Sequence, residues 1–332
     1  MKKTLLLLLC AVASSLAWSQ DFTLENQYNK MKKKYPFIQP YSVSDSGLYV
    51  HHNVFFHRAA GNIIDLTFDY FSKSEIFTPS NRALIIFVHG GGWASGSKAM
   101  DHAMAIAMAQ RGFSCVCIDY VKSGIAQYPE AVVDVMMAVR MARQYPQMFG
   151  FDGKRICLVG SSAGGQLAAL VGTNDDYLSS LMPSDSVLPS AIVNRVIDID
   201  GVLVFIHPDS SEGNDKHGKL SAATRWLGTP LQADTALWNE ASALYHVGAS
   251  SADYTFIIGT QKRFTAGLYE MIDSLHHNGH SANVVSIFAD SKSHNFADMV
   301  SENETPHCFW LFSPWAELVV GAIVNALSDW SN

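Results

Sequence analysis

The chain has 332 residues, a formal charge of -7, 48% hydrophobic and 16% charged residues. These are globular fractions, and they exclude disorder, collagen-like repeats and a coiled coil as descriptions of the whole chain. With 23 Lys and Arg against 30 Asp and Glu, the chain lacks the basic surface that phosphate binding needs, so no nucleic-acid partner is expected.

Met1-Lys2-Lys3 is a short positive start, followed by an apolar run at 4–12 well short of the about 20 residues that cross a bilayer. This pattern predicts a signal peptide over 1–19. The small residues Ala17 and Ser19 put the cut before Gln20, with a cut after Ala17 as the alternative. Leu9 ahead of Cys10 is not the small residue of a lipoprotein signal. Loss of Lys2 and Lys3 takes the formal charge to -9, so the expectation is an acidic exported protein, periplasmic or secreted, with no membrane span.

Residues 21–80 carry alternating stretches such as Ile63-Ile64-Asp65-Leu66-Thr67-Phe68, which predict antiparallel edge strands. From Ala83 onward, runs rich in Ile and Val at 84–88, 115–118, 156–159, 202–206, 256–258 and 284–288 alternate with helical stretches at 98–111, 129–145, 162–171, 266–277 and 315–330. Short, wholly apolar runs suit strands covered on both faces. Their alternation with helices predicts an α/β fold with a mostly parallel, doubly wound sheet. The polar segments 175–194 and 208–242 read as insertions that cap a site, so 20–332 is expected to form one domain. Cys115, Cys117, Cys157 and Cys308 contain no CxxC pair, which predicts buried free thiols and no zinc site.

Gly160-Ser161-Ser162-Ala163-Gly164 follows a strand run and precedes a helical one. In that setting small neighbours permit a sharp strained turn that lifts a Ser162 hydroxyl above the sheet as a nucleophile. His89-Gly90-Gly91-Gly92-Trp93 follows the strand run 84–88. Its glycines allow close backbone approach, so the Gly91 and Gly92 amides can join that of Ala163 in holding an oxyanion. No Gly-Lys-Ser/Thr ending follows, which excludes a phosphate-cradling P-loop.

These two motifs, together with Asp119-Tyr120 and Tyr128-Pro129-Glu130-Ala131-Val132-Val133-Asp134, resemble the α/β-hydrolase esterases. The nearest branches are the hormone-sensitive-lipase-like and exported bacterial carbohydrate acyl esterases. The resemblance runs from about Tyr35 to the C-terminus and implies the α/β-hydrolase fold, with a serine, an acid and a histidine in that chain order. Two histidines compete for the base. His294 follows the last core strand at about the usual distance, whereas His307 lies in Thr305-Pro-His-Cys-Phe-Trp-Leu-Phe-Ser-Pro-Trp315, which resembles a segment of exported esterases in polysaccharide-degrading bacteria, where the histidine is catalytic. The longer match favours His307.

In most relatives the acid follows the strand ending at Gly259, but this chain has Thr260-Gln261-Lys262-Arg263-Phe264 there. The remaining carboxylates are Asp209 or Glu212, after the run ending at Ile206, and Asp290 at the end of the last strand; Asp209 is preferred. Arg263 is either a substrate ligand or a salt-bridged surface residue. Trp93 and Trp310 are expected near the site as substrate-binding rings, and Trp226, Trp238 and Trp315 in the core.

The resemblance implies a secreted serine esterase acting on acylated carbohydrate, above all acetyl groups on plant polysaccharides such as xylan or pectin, with feruloyl esters also open. The alternatives are a general carboxylesterase or lipase for small esters, which the polar insertions disfavour, and a carbohydrate-binding pseudoenzyme without its acid. No metal or organic cofactor is implied, and the oligomeric state is left open.

Overall fold

The computed structural model describes residues 22–173, 175–182, 188–216, 218–287 and 305–330. The expected leader and the candidate residues Asp290 and His294 lie outside the described residues.

Helix α1 (Leu24–Met31) opens the described chain, and strand β1 (Gln39–Pro40) follows it. Strands β2 (Tyr49–Ala59) and β3 (Ile64–Ser72) form an antiparallel hairpin that pairs through β3 with β5 (Ser114–Ile118). The rest of the sheet is parallel, made of β4 (Leu84–Val88), β5, β6 (Ile156–Ser161), β7 (Arg195–Ile199), β8 (Asp253–Ile258) and β9 (Ala282–Ser286). The order across it is β2-β3-β5-β4-β6-β7-β8-β9. Short strand β10 (Phe312–Ser313) returns to pair with β1. This is the α/β-hydrolase arrangement that the sequence predicts, antiparallel N-terminal strands included.

The helices are α2 (His102–Gln110), α3 (Glu130–Gln144), α4 (Ala163–Val171), α5 (Asp175–Ser180), α6 (Ala222–Leu227), α7 (Thr235–Glu240), α8 (Leu268–His277) and α9 (Trp315–Ala326). Strand β4 shows why its run has no polar residue. Leu84, Ile86 and Val88 pack in one core with Val135 and Val139 of α3 and Leu167 of α4. Ile85 and Phe87 point the other way, into a core with Met104 and Met108 of α2 and Val319 and Ile323 of α9. Each such side chain, removed from water on its own face, contributes about 1.5–3 kcal/mol. The four cysteines are free and buried, as their apolar settings predict.

One predicted strand is misplaced. Residues 202–205 are buried but pair with no strand, and the strand lies just before them, at β7. Strand β7 carries Asp198 inside the sheet, and this polar residue disguises it in the sequence. Burial first, then the charge of Asp200, pushes the Asp198 carboxyl up to about 8, so it keeps its proton at neutral pH. Among the described residues no helix is long and apolar enough to cross a membrane.

Candidate active site

The site is built on loops leaving the carboxyl ends of the parallel strands, where an open α/β sheet forms its crevice. Between β6 and α4, Ser162 takes φ 53 and ψ -120, a backbone region that a residue with a Cβ seldom enters. Its surroundings hold it there. The Ser162 N–H donates to the Ile199 carbonyl at 2.8 Å, and the Ser162 carbonyl accepts from the Gln166 N–H at 3.0 Å. A Cβ on Gly164 would lie 1.9 Å from the Val88 carbonyl oxygen, so glycine is what lets α4 close onto β4.

The glycine loop after β4 comes equally close to this turn, since a Cβ on Gly90 would lie 2.9 Å from the Ser161 carbonyl oxygen. Among the described residues, no backbone acceptor meets the Gly91, Gly92 or Ala163 N–H. These donors are open to an incoming oxygen, and Ala163 also stands at the positive end of α4. Two groups fix the loop from behind. His89 is fully buried, with Nδ1 donating to the Gly90 carbonyl at 2.6 Å and Nε2 accepting from Lys122 Nζ at 2.7 Å. Burial, then the Lys122 charge, holds the His89 pKa well below the ordinary imidazole value, while burial brings Lys122 down to about 8. On the other side, the Trp93 indole N–H donates to Gln166 Oε1 at 2.9 Å, tying the loop to α4.

His307 reaches Ser162 across 145 residues of chain, with Nε2 3.0 Å from the Ser162 hydroxyl oxygen. With the ring proton on Nδ1, the serine hydroxyl donates to Nε2, the direction that general-base activation needs. Nδ1 faces Asp200 Oδ2 at 3.5 Å and has no other partner among the described residues. That distance is long for a hydrogen bond, as catalytic contacts often are without substrate. Asp200 is 2% exposed, and its Oδ1 accepts from the Gly259 N–H at 2.7 Å. The imidazole is packed between Phe264, stacked at 4.5 Å, and Trp310, edge-on at 5.1 Å. Burial lowers the His307 pKa below its ordinary value of 6.5; Asp200 pulls it partly back, and the Arg263 and Lys30 charges depress it further. A neutral imidazole between a hydroxyl and a buried carboxylate, facing open amides, is equipped for nucleophilic acyl transfer.

Comparison with known proteins gives the family. The BD-FAE family model matches residues 74–265, more than half of the chain. The chain belongs to the BD-FAE family. The match takes in the glycine loop, Ser162 and Asp200, while His307 lies beyond it.

Sequence relatives of this BD-FAE chain include esterase LipC of Mycobacterium tuberculosis, 36% identical over 121 residues, 36% of this chain and 29% of that protein. Human hormone-sensitive lipase is 30% identical over 130 residues, 36% of this chain and 12% of that protein. The chain thus aligns with less than a third of the length of either relative. Among solved structures, esterase 2 of Thermogutta terrifontis superposes with a TM-score of 0.65 at 21% identity, covering 86% of this chain and 96% of that one. A truncated carbohydrate esterase from gut microbiota gives a TM-score of 0.57 at 19% identity, covering 75% and 90%.

Several sequence expectations for this BD-FAE chain need correction. Asp209, the preferred acid, is exposed, and among the described residues it has no contact with His307. Asp200 is the carboxylate facing the imidazole. The error follows from the misplaced strand, because Asp200 directly follows the true β7; an Asp-Gly pair closing the run Arg195–Ile199 was the available signal. Glu212 is spent on Arg263, 3.4 Å away, and burial raises its pKa. Arg263 is therefore ion-paired, and its guanidinium also lies 4.3 Å from the centroid of the Phe264 ring. Trp93 and Trp310 are 2% and 1% exposed and cannot offer a face to a sugar. Trp93 stacks on Trp226 at 4.7 Å, so both tryptophans hold the machinery in place. Trp226, Trp238 and Trp315 are buried in the core, where the sequence puts them.

Proposed function

We propose that this chain is a serine esterase in which Ser162 is the nucleophile, His307 the base and Asp200 the acid. The observation that carries the reading is the 3.0 Å approach of His307 Nε2 to a Ser162 hydroxyl held at positive φ. Ser162 Oγ attacks the ester carbonyl carbon as its proton passes to Nε2, and the amides of Gly91, Gly92 and Ala163 receive the negative oxygen. Collapse expels the alcohol, which takes the proton from Nε2 and leaves an acyl-serine. Water then repeats the sequence and frees the acid.

The substrate we propose is an acylated, above all acetylated, plant polysaccharide such as xylan or pectin, met outside the cytoplasm by a single hydrolase domain at 20–332 released from its 1–19 leader. The similarity to a carbohydrate esterase from gut microbiota and the start of the sequence support this reading. Asp200 behind the imidazole removes the ground for a non-catalytic reading, which was the missing acid.

The test is hydrolysis of 4-nitrophenyl acetate alongside acetate release from acetylated xylan and pectin. Ser162→Ala and His307→Ala should each lower kcat on the order of 10⁶-fold, as for serine hydrolases that lose either group. Full activity in folded Ser162→Ala would end the proposal. Turnover of the nitrophenyl ester without acetate release from either polysaccharide would make the protein a general carboxylesterase.

A further inference from the structure

A second histidine–carboxylate cluster lies away from the catalytic pair, on the N-terminal hairpin. Strand β2 pairs with β3 as His51 with Tyr70 and Val54 with Phe68, so His52 and Asn53 together oppose the single residue Asp69. This is a bulge, a device that re-aims side chains, and Asn53 sits at φ 58 within it. The bulge turns both residues onto one carboxylate. The Asn53 N–H donates to Asp69 Oδ1 at 2.8 Å, and His52 Nδ1 comes to 3.2 Å from Oδ2. From the first residue of α2, His102 brings Nε2 to 2.8 Å from the same Oδ2. Phe71 backs both rings, edge-on at 6.1 Å to His52 and 5.0 Å to His102.

We propose that His52, Asp69 and His102 form a binding site for one divalent transition-metal ion of the zinc class. The three donor atoms lie within 4.8 Å of one another. Ligands around a tetrahedral zinc at about 2.0–2.1 Å stand about 3.3 Å apart. The two nitrogen-to-carboxylate distances, 2.8 and 3.2 Å, fall just short of that spacing, so both imidazoles must draw slightly back from the carboxylate and swing toward each other. His52, with a side chain 54% exposed, is free to do so. Two imidazoles and a carboxylate are a borderline-soft donor set suited to zinc and its neighbours, not to magnesium or calcium. Lys98 does not compete for the metal-facing oxygen, because its ammonium lies 3.3 Å from Oδ1 and is shared with Asn53 and Asp119. A fourth position is left on the solvent side for water. Binding requires each imidazole to turn a lone pair to the ion, its proton moving to the far ring nitrogen. The site is independent of the esterase reading.

The test is calorimetric titration of metal-stripped protein with zinc chloride at pH 7.5, with cobalt(II) absorption as a second readout of imidazole ligation. We expect one equivalent of zinc bound at micromolar concentration or tighter. His52→Ala and His102→Ala should each weaken it at least tenfold and abolish the cobalt bands, whereas the double variant His276→Ala with His277→Ala, on α8, should bind as the wild type. Absence of zinc binding, or binding undiminished in His52→Ala and His102→Ala, would overturn the proposal. His52→Ala removes only an exposed ring and so keeps the test decisive even if His102→Ala fails to fold.

Discussion

The molecule sets imidazole against carboxylate in two places and does so in opposite ways. At Asp200 one imidazole lies between two aromatic rings, its second nitrogen on a serine hydroxyl. At Asp69 two imidazoles share one carboxylate oxygen, and one of them is largely in water. At Asp200 the two rings shield the imidazole, and its Nε2 faces the serine. The hairpin cluster leaves its lone pairs convergent and open, which suits an ion. Burial opposes the charged form of the Asp69 carboxyl, but His102, the Asn53 amide, Lys98 and His52 outweigh it and hold the pKa well below the usual range. The same pair of residue types thus makes a proton carrier or a ligand set according to how many imidazoles meet the carboxylate and what covers them.

The largest effect that would break this contrast lies at Asp200, the proposed acid. Asp200→Asn should leave the fold intact and lower kcat on 4-nitrophenyl acetate by about 10⁴-fold, the scale seen when a triad acid loses its charge, while Asp209→Ala should change little. Equal, small effects from the two would remove Asp200 from the mechanism.

A second substitution tests the link between the regions. Lys98 lies 3.3 Å from Asp69 and 3.4 Å from Asp119, and Asp119 in turn lies 3.7 Å from His89 behind the glycine loop. Lys98→Met would leave two largely enclosed carboxylates without their cation, which should cost about 3 kcal/mol. Chemical denaturation of the variant measures it, and a loss below about 0.5 kcal/mol would mean that the two regions are not joined through this ammonium.

The smallest effect is on pH dependence. Burial favours the neutral form of His307, and the base must be neutral to act. The acid limb of kcat/KM should therefore fall below pH 6.5. Phe264→Ala admits water to one face of the ring and should move that limb up toward 6.5 by a fraction of a unit. A shift in the opposite direction would show that burial is not what sets it.

Local features were readable from the sequence and contextual ones were not. The turn at Ser162 and the glycine loop are each written in five adjacent residues, and β4 is legible because both of its faces are apolar. Strand β7 was hidden by Asp198, whose burial depends on the neighbouring strands. The run 202–206 imitated a strand because residues 202–205 are buried without a ladder partner. Trp93 beside the glycines suggested a sugar platform, yet burial at 2% exposure makes it a brace. The hairpin cluster has no spacing that announces a metal site, since a bulge and a helix start bring its members together only in three dimensions.

The separation of 145 positions between Ser162 and His307 also bears on how the proposed site assembles. Serine and acid stand just past the ends of adjacent parallel strands, but the imidazole arrives from much later in the chain. Closing so long a loop costs entropy before any contact repays it, and such topologies fold slowly. During refolding from denaturant, helical signal should recover well before hydrolysis. On the proposed mechanism, catalytic competence is then a late event, a built-in report that the C-terminal segment has docked.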